Sequence, residues 1–347
     1  MYKKEVVKQA LHPEPITESL WGQSVWNTFL KLCSWTVPHG FEESYYEAVL
    51  KEYGFTKDIG CYSIVIGAKM TGPMFTAHMD TADHGEPKKI DLYVLDKQPK
   101  VVITDGKTIL GADDRAGITV LLKMIEAQVP GLYCLFLGEE RGCVGSRQLS
   151  LTGSFPEDYQ PTSCISFDRR GVDSVITHQS YGRCCSDAFA LALAGSLNTT
   201  GGFNFTPDNT GIYTDSAEFT EDIAECTNIS VGYEHEHTVG ESQDVDFLER
   251  LCLAVVCVDW ASFPIERDPA FVEPFRWPSE RFSPRDYFNE IEEDFWSEPT
   301  LVDWTDRGED ARSWVQKYPF AAADLLEELL YSKPHVVLEI YEKRGQL

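Results

Sequence analysis

The chain has 347 residues, and its 56 acidic against 30 basic side chains leave a formal net charge of -26. An acid excess of that size repels phosphate backbones and anionic lipid surfaces, which argues against nucleic acid or a membrane as partner. At about 150 residues per domain, the length fits two domains or one large α/β domain with an extension.

The opening stretch MYKKEVVKQALHPEPITESLWG leads into no apolar run long enough for a secretory signal, and nowhere do about eighteen apolar residues run together. The expectation is a soluble, cytoplasmic protein. Its ten cysteines include no C-x-x-C pair. At this length they need not act as staples, so most read as small buried hydrophobes, Cys134 and Cys164 among them.

From Trp26 to Tyr53 the spacing is helical in VWNTFLKLCSW and in EESYYEAVLKEYG, with a break at Pro38-His39-Gly40. CYSIVIG and GPMFTAH then read as strands and AGITVLLKMIEAQ as an apolar helix. GLYCLFLG and SCISFD are strands, DAFALALAGSL a helix, NISVGY a strand, and FLERLCLAVVCVDWASF a closing helix. Such alternation predicts an α/β fold over residues 1–263, with a mostly parallel sheet covered on both faces. After Phe263 the texture turns to Pro, Arg and aromatics, which predicts an irregular extension over 264–347. Trp277, Trp296 and Trp304 argue that it packs on the main body, and FAAADLLEELLYS reads as one amphipathic helix within it.

The ends of the strand-like runs carry the chemistry. MFTAHMD ends in His78 and Asp80, LYCLFLGEE in Glu139 and Glu140, CISFD in Asp168, and NISVGYEHEHT in His235 and His237. ILGADDRAG sets Asp113 and Asp114 at the mouth of an apolar helix. Taken singly, each has a plain structural explanation: a core histidine, an N-cap pair, an ion pair of Asp168 with Arg169 or Arg170, a solvated Glu-Glu loop. Together they stand where ligands bind in open α/β sheets, outside the carboxyl ends of the strands. Two imidazoles and several carboxylates are the donors wanted by one or two borderline divalent ions, zinc foremost.

H-x-D at 78–80, G-A-D-D-R-A-G at 111–117, E-E-R-G-x-x-G at 139–145, the strand-end Asp168 and E-H-T-x-x-E at 236–241 occur in that order. This set resembles the motifs of the co-catalytic di-zinc metallopeptidases. The resemblance implies a three-layer αβα fold, phosphorylase/hydrolase-like and zinc peptidase-like. It implies His78 and Asp168 on one metal, Glu140 and His237 on the other, and Asp113 bridging both. It also implies Asp80 orienting His78, Glu139 as general base, and a cis peptide after Asp113. Gaps of 35 residues from His78 to Asp113 and 69 from Asp168 to His237 are too short for an inserted domain of about 100. The chain therefore looks most like the single-domain aminopeptidase branch, related to aminopeptidase Y and glutamate carboxypeptidase, although DDRAG leans toward the branches with inserted domains.

Charge favours two ions. Asp113, Glu140, Asp168 and one hydroxide balance a pair of divalent cations, whereas a single ion leaves buried negative charge in excess. Zn2+ is expected, with Co2+ or Mn2+ as alternatives. Adjacent residues of a strand point to opposite faces, so Glu139 and Glu140 both reach the site only if the chain turns there, as Gly138 and Gly142 permit. His237 is preferred over His235 because HTVGE fits the motif. TDSAEFTEDI reads as a capping box from Asp215 to Glu218, and Tyr213 or Tyr233 is a candidate oxyanion donor or core aromatic.

The expected activity is that of an aminopeptidase acting on peptides or small amides. The alternatives are a carboxypeptidase or deacylase on N-acyl amino acids, with Arg169, Arg170 and Arg183 available to hold a carboxylate, and a catalytically silent binding protein on the same fold.

Overall fold

In the computed structural model, which describes residues 8–11, 19–95, 99–179 and 182–270, the apolar runs become the centre of a twisted sheet. The chain begins with β1 Lys8–Leu11, α1 Val25–Leu32, α2 Glu42–Tyr45, β2 Thr56–Lys57, β3 Cys61–Ile66 and β4 Thr71–His78. It continues with β5 Leu92–Leu95, β6 Val101–Thr104, α3 Ala112–Glu126, β7 Gly131–Phe136, α4 Val144–Ser150 and β8 Gln160–Arg169. Next come β9 Ser174–Ile176, β10 His178–Gln179, β11 Gly182–Arg183, α5 Asp187–Gly201 and β12 Thr206–Asp208. β13 Glu225–Ser230, β14 Tyr233–Glu234, β15 Ser242–Asp244 and α6 Val245–Val255 complete the order.

The main sheet has eight strands in the order β12-β9-β13-β8-β4-β7-β3-β2. Its centre, β13-β8-β4-β7, is parallel, while β3 and β2 add antiparallel on one side. Every residue of β7 is buried, as expected of a strand covered on both faces. Phe75, Tyr133 and Phe167 pack with Trp260 on one face, where α3 lies with α1 and α6. Phe136, of opposite parity to Tyr133 on β7, meets Phe219 and so marks the other face, covered by α4 and the turn at residues 215–219. The result is the three-layer αβα arrangement.

Local sequence explains most of the boundaries. Ser24, Ser186 and Asp244 cap α1, α5 and α6 by accepting the amides of Asn27, Phe189 and Phe247. The helical stretch that starts at α2 tightens to a stop at Gly54, whose φ of 76° is left-handed. The closing helix ends at Val255, short of the expected Phe263. There the chain turns so that Trp260 reaches back into the core, its Nε1–H donating to the Val255 carbonyl at 2.9 Å.

A second, five-stranded antiparallel sheet, β1-β5-β6-β15-β14, has no counterpart in the sequence reading. Its strands are two to four residues long, too short for periodicity to register. All ten cysteines are free and nine are buried, Cys257 being the exposed one. Among the described residues no helix is long and apolar enough to cross a membrane. Of the expected extension only residues 264–270 are described, and the helix expected in FAAADLLEELLYS and Trp277, Trp296 and Trp304 lie outside the described residues.

Candidate metal centre

The parallel strands β4, β7, β8 and β13 deliver their carboxyl ends to one edge of the sheet. His78 closes β4. Its Nδ1–H donates to the Asp80 backbone carbonyl at 3.0 Å, which turns Nε2 toward the Asp113 Oδ1 at 2.9 Å and the Asp168 Oδ1 at 3.7 Å. Asp113 and Asp114 are joined by a cis peptide, as the motif resemblance implies, and their side chains part company. Asp114 faces inward and accepts the amides of Gly117 at 3.0 Å and His78 at 3.1 Å, so it is Asp114 that caps the helix. Asp113 is left to face the site.

The Glu139-Glu140 pair sits on a tight turn over 139–141 between Gly138 (φ 69°) and Gly142 (φ 88°), so the strand geometry ends where the two carboxylates begin. The Asp80 carboxylate holds this turn by accepting the amides of Glu139 and Glu140 at 3.0 and 3.1 Å. The Cys143 thiol lies 3.6 Å from Glu139 Oε1. Asp168 is clamped on the main chain by the Asn228 amide group, and its carboxylate accepts Thr214 Oγ1–H at 2.6 Å and the Tyr233 hydroxyl at 3.0 Å. Half-exposed His237 brings Nε2 to 3.0 Å from Asp113 Oδ2 and 3.2 Å from Glu140 Oε2.

Two sets of ligand atoms result, His78–Asp113–Asp168 and Asp113–Glu140–His237, the atoms of each lying within 4.8 Å of one another and the two sets sharing Asp113. Among the described residues two more sets occur: His78–Glu139–Glu140, which shares its histidine and Glu140 with the sets above, and His39–Glu42–Asp80, which is satisfied without an ion. There His39 Nδ1 pairs with Glu42 Oε1 at 2.6 Å, the other Glu42 oxygen takes the Gly40 amide, and both Asp80 oxygens are occupied. The Asp113 sets differ in kind. Glu140 Oε1 is buried with no hydrogen-bond partner, and several carboxylates converge on two imidazoles. An orphaned carboxylate oxygen in such a nitrogen and oxygen donor set fits divalent cations.

Electrostatics carry the same message. Burial drives the Glu139 carboxyl well above its ordinary value and that of Glu140 up to about 7; burial, with Asp113 beside it, raises that of Asp168. Burial pushes Asp113 up as well, but hydrogen bonds from His237 and His78 outweigh it and hold its carboxyl below the usual range. Burial disfavours the His237 imidazolium, yet Asp113 and Glu140 raise its pKa to about 12. Buried carboxylates outnumber the two imidazoles here, and a bound divalent cation would relieve that excess.

A cleft of about 220 Å³ opens onto Asp113, Glu139, Glu140, Asp168 and His237, with Arg169, Arg170, Ile176, Ile212 and Tyr213 on its other walls. Arg183 lies elsewhere, on a groove with Asp173, His178 and Asp208. The capping box expected at 215–218 does not form: Asp215 accepts Ser146 Oγ–H at 2.6 Å, Glu218 accepts Arg147 Nε–H at 2.9 Å, and both are drawn sideways to α4. Tyr233, weighed as an oxyanion donor, spends its hydroxyl on Asp168. No pattern in the sequence marks Thr214 or Asn228, which reach Asp168 from 46 and 60 residues away.

No protein family matches the chain at the level of sequence, and no curated protein does. Solved structures do match. A tripeptidase from Staphylococcus aureus subsp. aureus Mu50 superposes with a TM-score of 0.55 at 18% identity, over 67% of this chain and 96% of that one. Aminopeptidase PepT from Bacillus cereus ATCC 10987 gives 0.50 at 16% identity, over 67% and 96%. The TET1 peptidase of Pyrococcus horikoshii, which can assemble into a tetrahedron or a large octahedral shell, gives 0.50 at 16%, over 67% and 98%. At these identities the likeness is one of fold, and the α/β fold is the one the motifs imply.

Proposed function

We propose that this chain is a metal-dependent exopeptidase that removes N-terminal residues from short peptides or small amides, with Glu139 as general base. The observation that carries the reading is Asp113, shared between two sets of ligand atoms with Glu139 beside them. His78, Asp113 and Asp168 would hold one divalent ion, Asp113, Glu140 and His237 the other, and zinc is the ion we assign. Such ions polarise a scissile carbonyl and bring the pKa of water from 15.7 toward about 7. Glu139, in neither Asp113 set, takes a proton from the attacking water at its carboxylate and delivers it to the departing nitrogen, so that the amine leaves neutral. Burial, which raises its carboxyl, suits it to hold that proton between the two steps. Asp80 fixes the turn that aims Glu139, and Thr214 and Tyr233 keep Asp168 turned to the site.

A cleft of about 220 Å³ suits the end of a peptide better than a long stretch of one. The names of the fold neighbours, a tripeptidase and an aminopeptidase, favour the same reading. One observation favours a second: Arg169 and Arg170 line the cleft, where a substrate carboxylate would meet them. Both already face acids, Arg169 beside Asp208 at 3.7 Å and Arg170 at 3.3 Å from Glu236, which leaves less charge for a carboxylate. In this reading residues 1–263 are the catalytic domain and 264–347 an extension of it.

The test is amino acid release from unblocked di- to tetrapeptides by zinc-loaded protein, with N-acyl amino acids as the contrast. Glu139→Gln should lower turnover by about 10²- to 10⁴-fold while metal binding persists. Turnover confined to N-blocked substrates would move the assignment to a carboxypeptidase or deacylase. A fully loaded chain inert toward both would leave a binding protein.

A further inference from the structure

Glu241, the last residue of the E-H-T-x-x-E motif, has no role in the reading above. Its side chain is 1% exposed, and it makes three hydrogen bonds to a segment about 130 residues away in the chain. Oε2 accepts the amides of Leu110 and Gly111 at 2.9 and 2.8 Å, and Oε1 accepts that of Asp113 at 3.0 Å. Gly111, at the head of α3, offers no side-chain cap, so these buried donors depend on a carboxylate from elsewhere.

We propose that Glu241 is a positioning residue whose carboxylate pins the loop carrying His237 to the backbone that presents Asp113, and so sets the affinity of the Asp113–Glu140–His237 ion site. The proposal rests on the two-ion reading. Glu241 stands four residues beyond His237 and directly before β15, whose Ser242 pairs with Ile103 of β6. The loop is thus held at its far end by sheet pairing and by this one carboxylate. His237 needs the support. Its side chain is 50% exposed and its backbone is left-handed, with φ 62°, so packing does little to hold the imidazole in place. His78 is different: it ends a central strand, is 1% exposed, and is fixed by the Asp80 carbonyl and by Asp114. Removing Glu241 should therefore weaken the His237 set and spare the His78 set, even though Asp113 belongs to both.

The experiment is a titration of the full-length chain with Zn2+ or Co2+ against a chromophoric chelator, with no turnover involved. The His237→Ala variant identifies which of two binding steps belongs to its set. Glu241→Gln and Glu241→Ala should weaken that same step by about 10- to 100-fold, leave the other little changed, and alter the Co2+ absorption of one ion only. Neither step shifting, or both shifting together, overturns the proposal. Wild-type protein that binds fewer than two ions sinks the two-ion reading and this inference with it. Should the variants fail to fold, hydrogen exchange on the wild-type chain decides: the amides of Leu110, Gly111 and Asp113 should be strongly protected, and fast exchange at them refutes the clamp.

Discussion

The Asp80 carboxylate accepts the backbone amide of Glu139 at 3.0 Å, across 59 residues of sequence. Its second oxygen takes the amide of Glu140, and the Nδ1–H of His78 goes to the Asp80 main-chain carbonyl. The side chain therefore holds the glutamate turn and also lies 3.5 Å from His78 Nδ1, while the backbone carbonyl takes that ring's proton. Asp80→Asn separates these duties, because the carbonyl remains while one amide loses its acceptor. Hydrogen bonds to charged groups contribute about 1.5 to 3 kcal/mol, so stability should fall by about that much in urea unfolding. With Glu139 misplaced, kcat should drop by about 10- to 100-fold with KM nearly unchanged. A variant with normal kcat would show that the turn holds itself.

Gly117, the last residue of the GADDRAG motif, lies where α3 crosses β8. A Cβ there would stand 2.2 Å from the Phe167 carbonyl oxygen and 2.4 Å from Asp114 Oδ1. Both neighbours are fixed, the first by the sheet and the second by its bonds to His78 and Gly117. Gly117→Ala should cost about 1 to 3 kcal/mol in denaturant unfolding and lower metal affinity, since Asp114 also accepts the backbone amide of His78. Gly195 of α5 is the control: nothing lies within 4 Å of its added Cβ, so Gly195→Ala should be neutral or stabilise by up to about 1 kcal/mol. Equal effects at the two positions would refute the argument.

These two sites show what the sequence can and cannot disclose. Apolar runs mark β4, β7 and β8 because strands covered on both faces need them, and polar residues at their ends mark one edge of the sheet. Local chemistry stops there. Nothing in Asp113-Asp114 says which carboxylate faces the site, because that is decided by the amides of His78 and Gly117, one of them on another strand. Asp80 reads as an orienter of His78, and only the folded chain reveals that its carboxylate, 3.5 Å from His78 Nδ1, also accepts the amides of Glu139 and Glu140. The second sheet stays hidden because strands of two to four residues carry too little period. The pattern from Asp215 to Glu218 misleads because tertiary partners, Ser146 and Arg147, outbid the local amides.

Tyr233 offers a choice between two roles that kinetics can separate. Its buried hydroxyl donates to Asp168 Oδ1 at 3.0 Å, next to the Thr214 hydroxyl on Oδ2. As a holder of Asp168, its loss in Tyr233→Phe should weaken metal binding by about tenfold, with kcat at saturating metal within about tenfold of wild type. Loss of an oxyanion donor would instead lower kcat by about 10²- to 10³-fold whatever the metal concentration. The geometry favours the first outcome, and a steady-state series at rising Zn2+ distinguishes them.

Metal-free protein should lose thermal stability as the pH rises from about 5 to 8. Burial lifts Glu140 from an ordinary 4.5 to about 7 and Asp215 from 3.8 to about 8, so between those limits the folded chain keeps protons that the unfolded chain has released. Stability falls with pH wherever the native state binds more protons. His237 acts in the same sense: raised to about 12, its contribution is complete below its unfolded value of 6.5 and drains away above it. Asp113 acts oppositely, since its lowered carboxyl stabilises the fold above about pH 4 and that gain is lost in stronger acid. The metal-free optimum should therefore lie near pH 4 to 5. A bound divalent ion needs deprotonated ligands, so saturating Zn2+ should flatten or reverse the slope above pH 5. The overall charge of -26 also relaxes in acid, and Glu140→Gln removes that residue's own share of the local effect while leaving most of the background. Melting curves at half-unit pH intervals, with chelator and with zinc, test this; a metal-free melting temperature that climbs from pH 5 to 8 would mean that these carboxylates do not crowd together in solution.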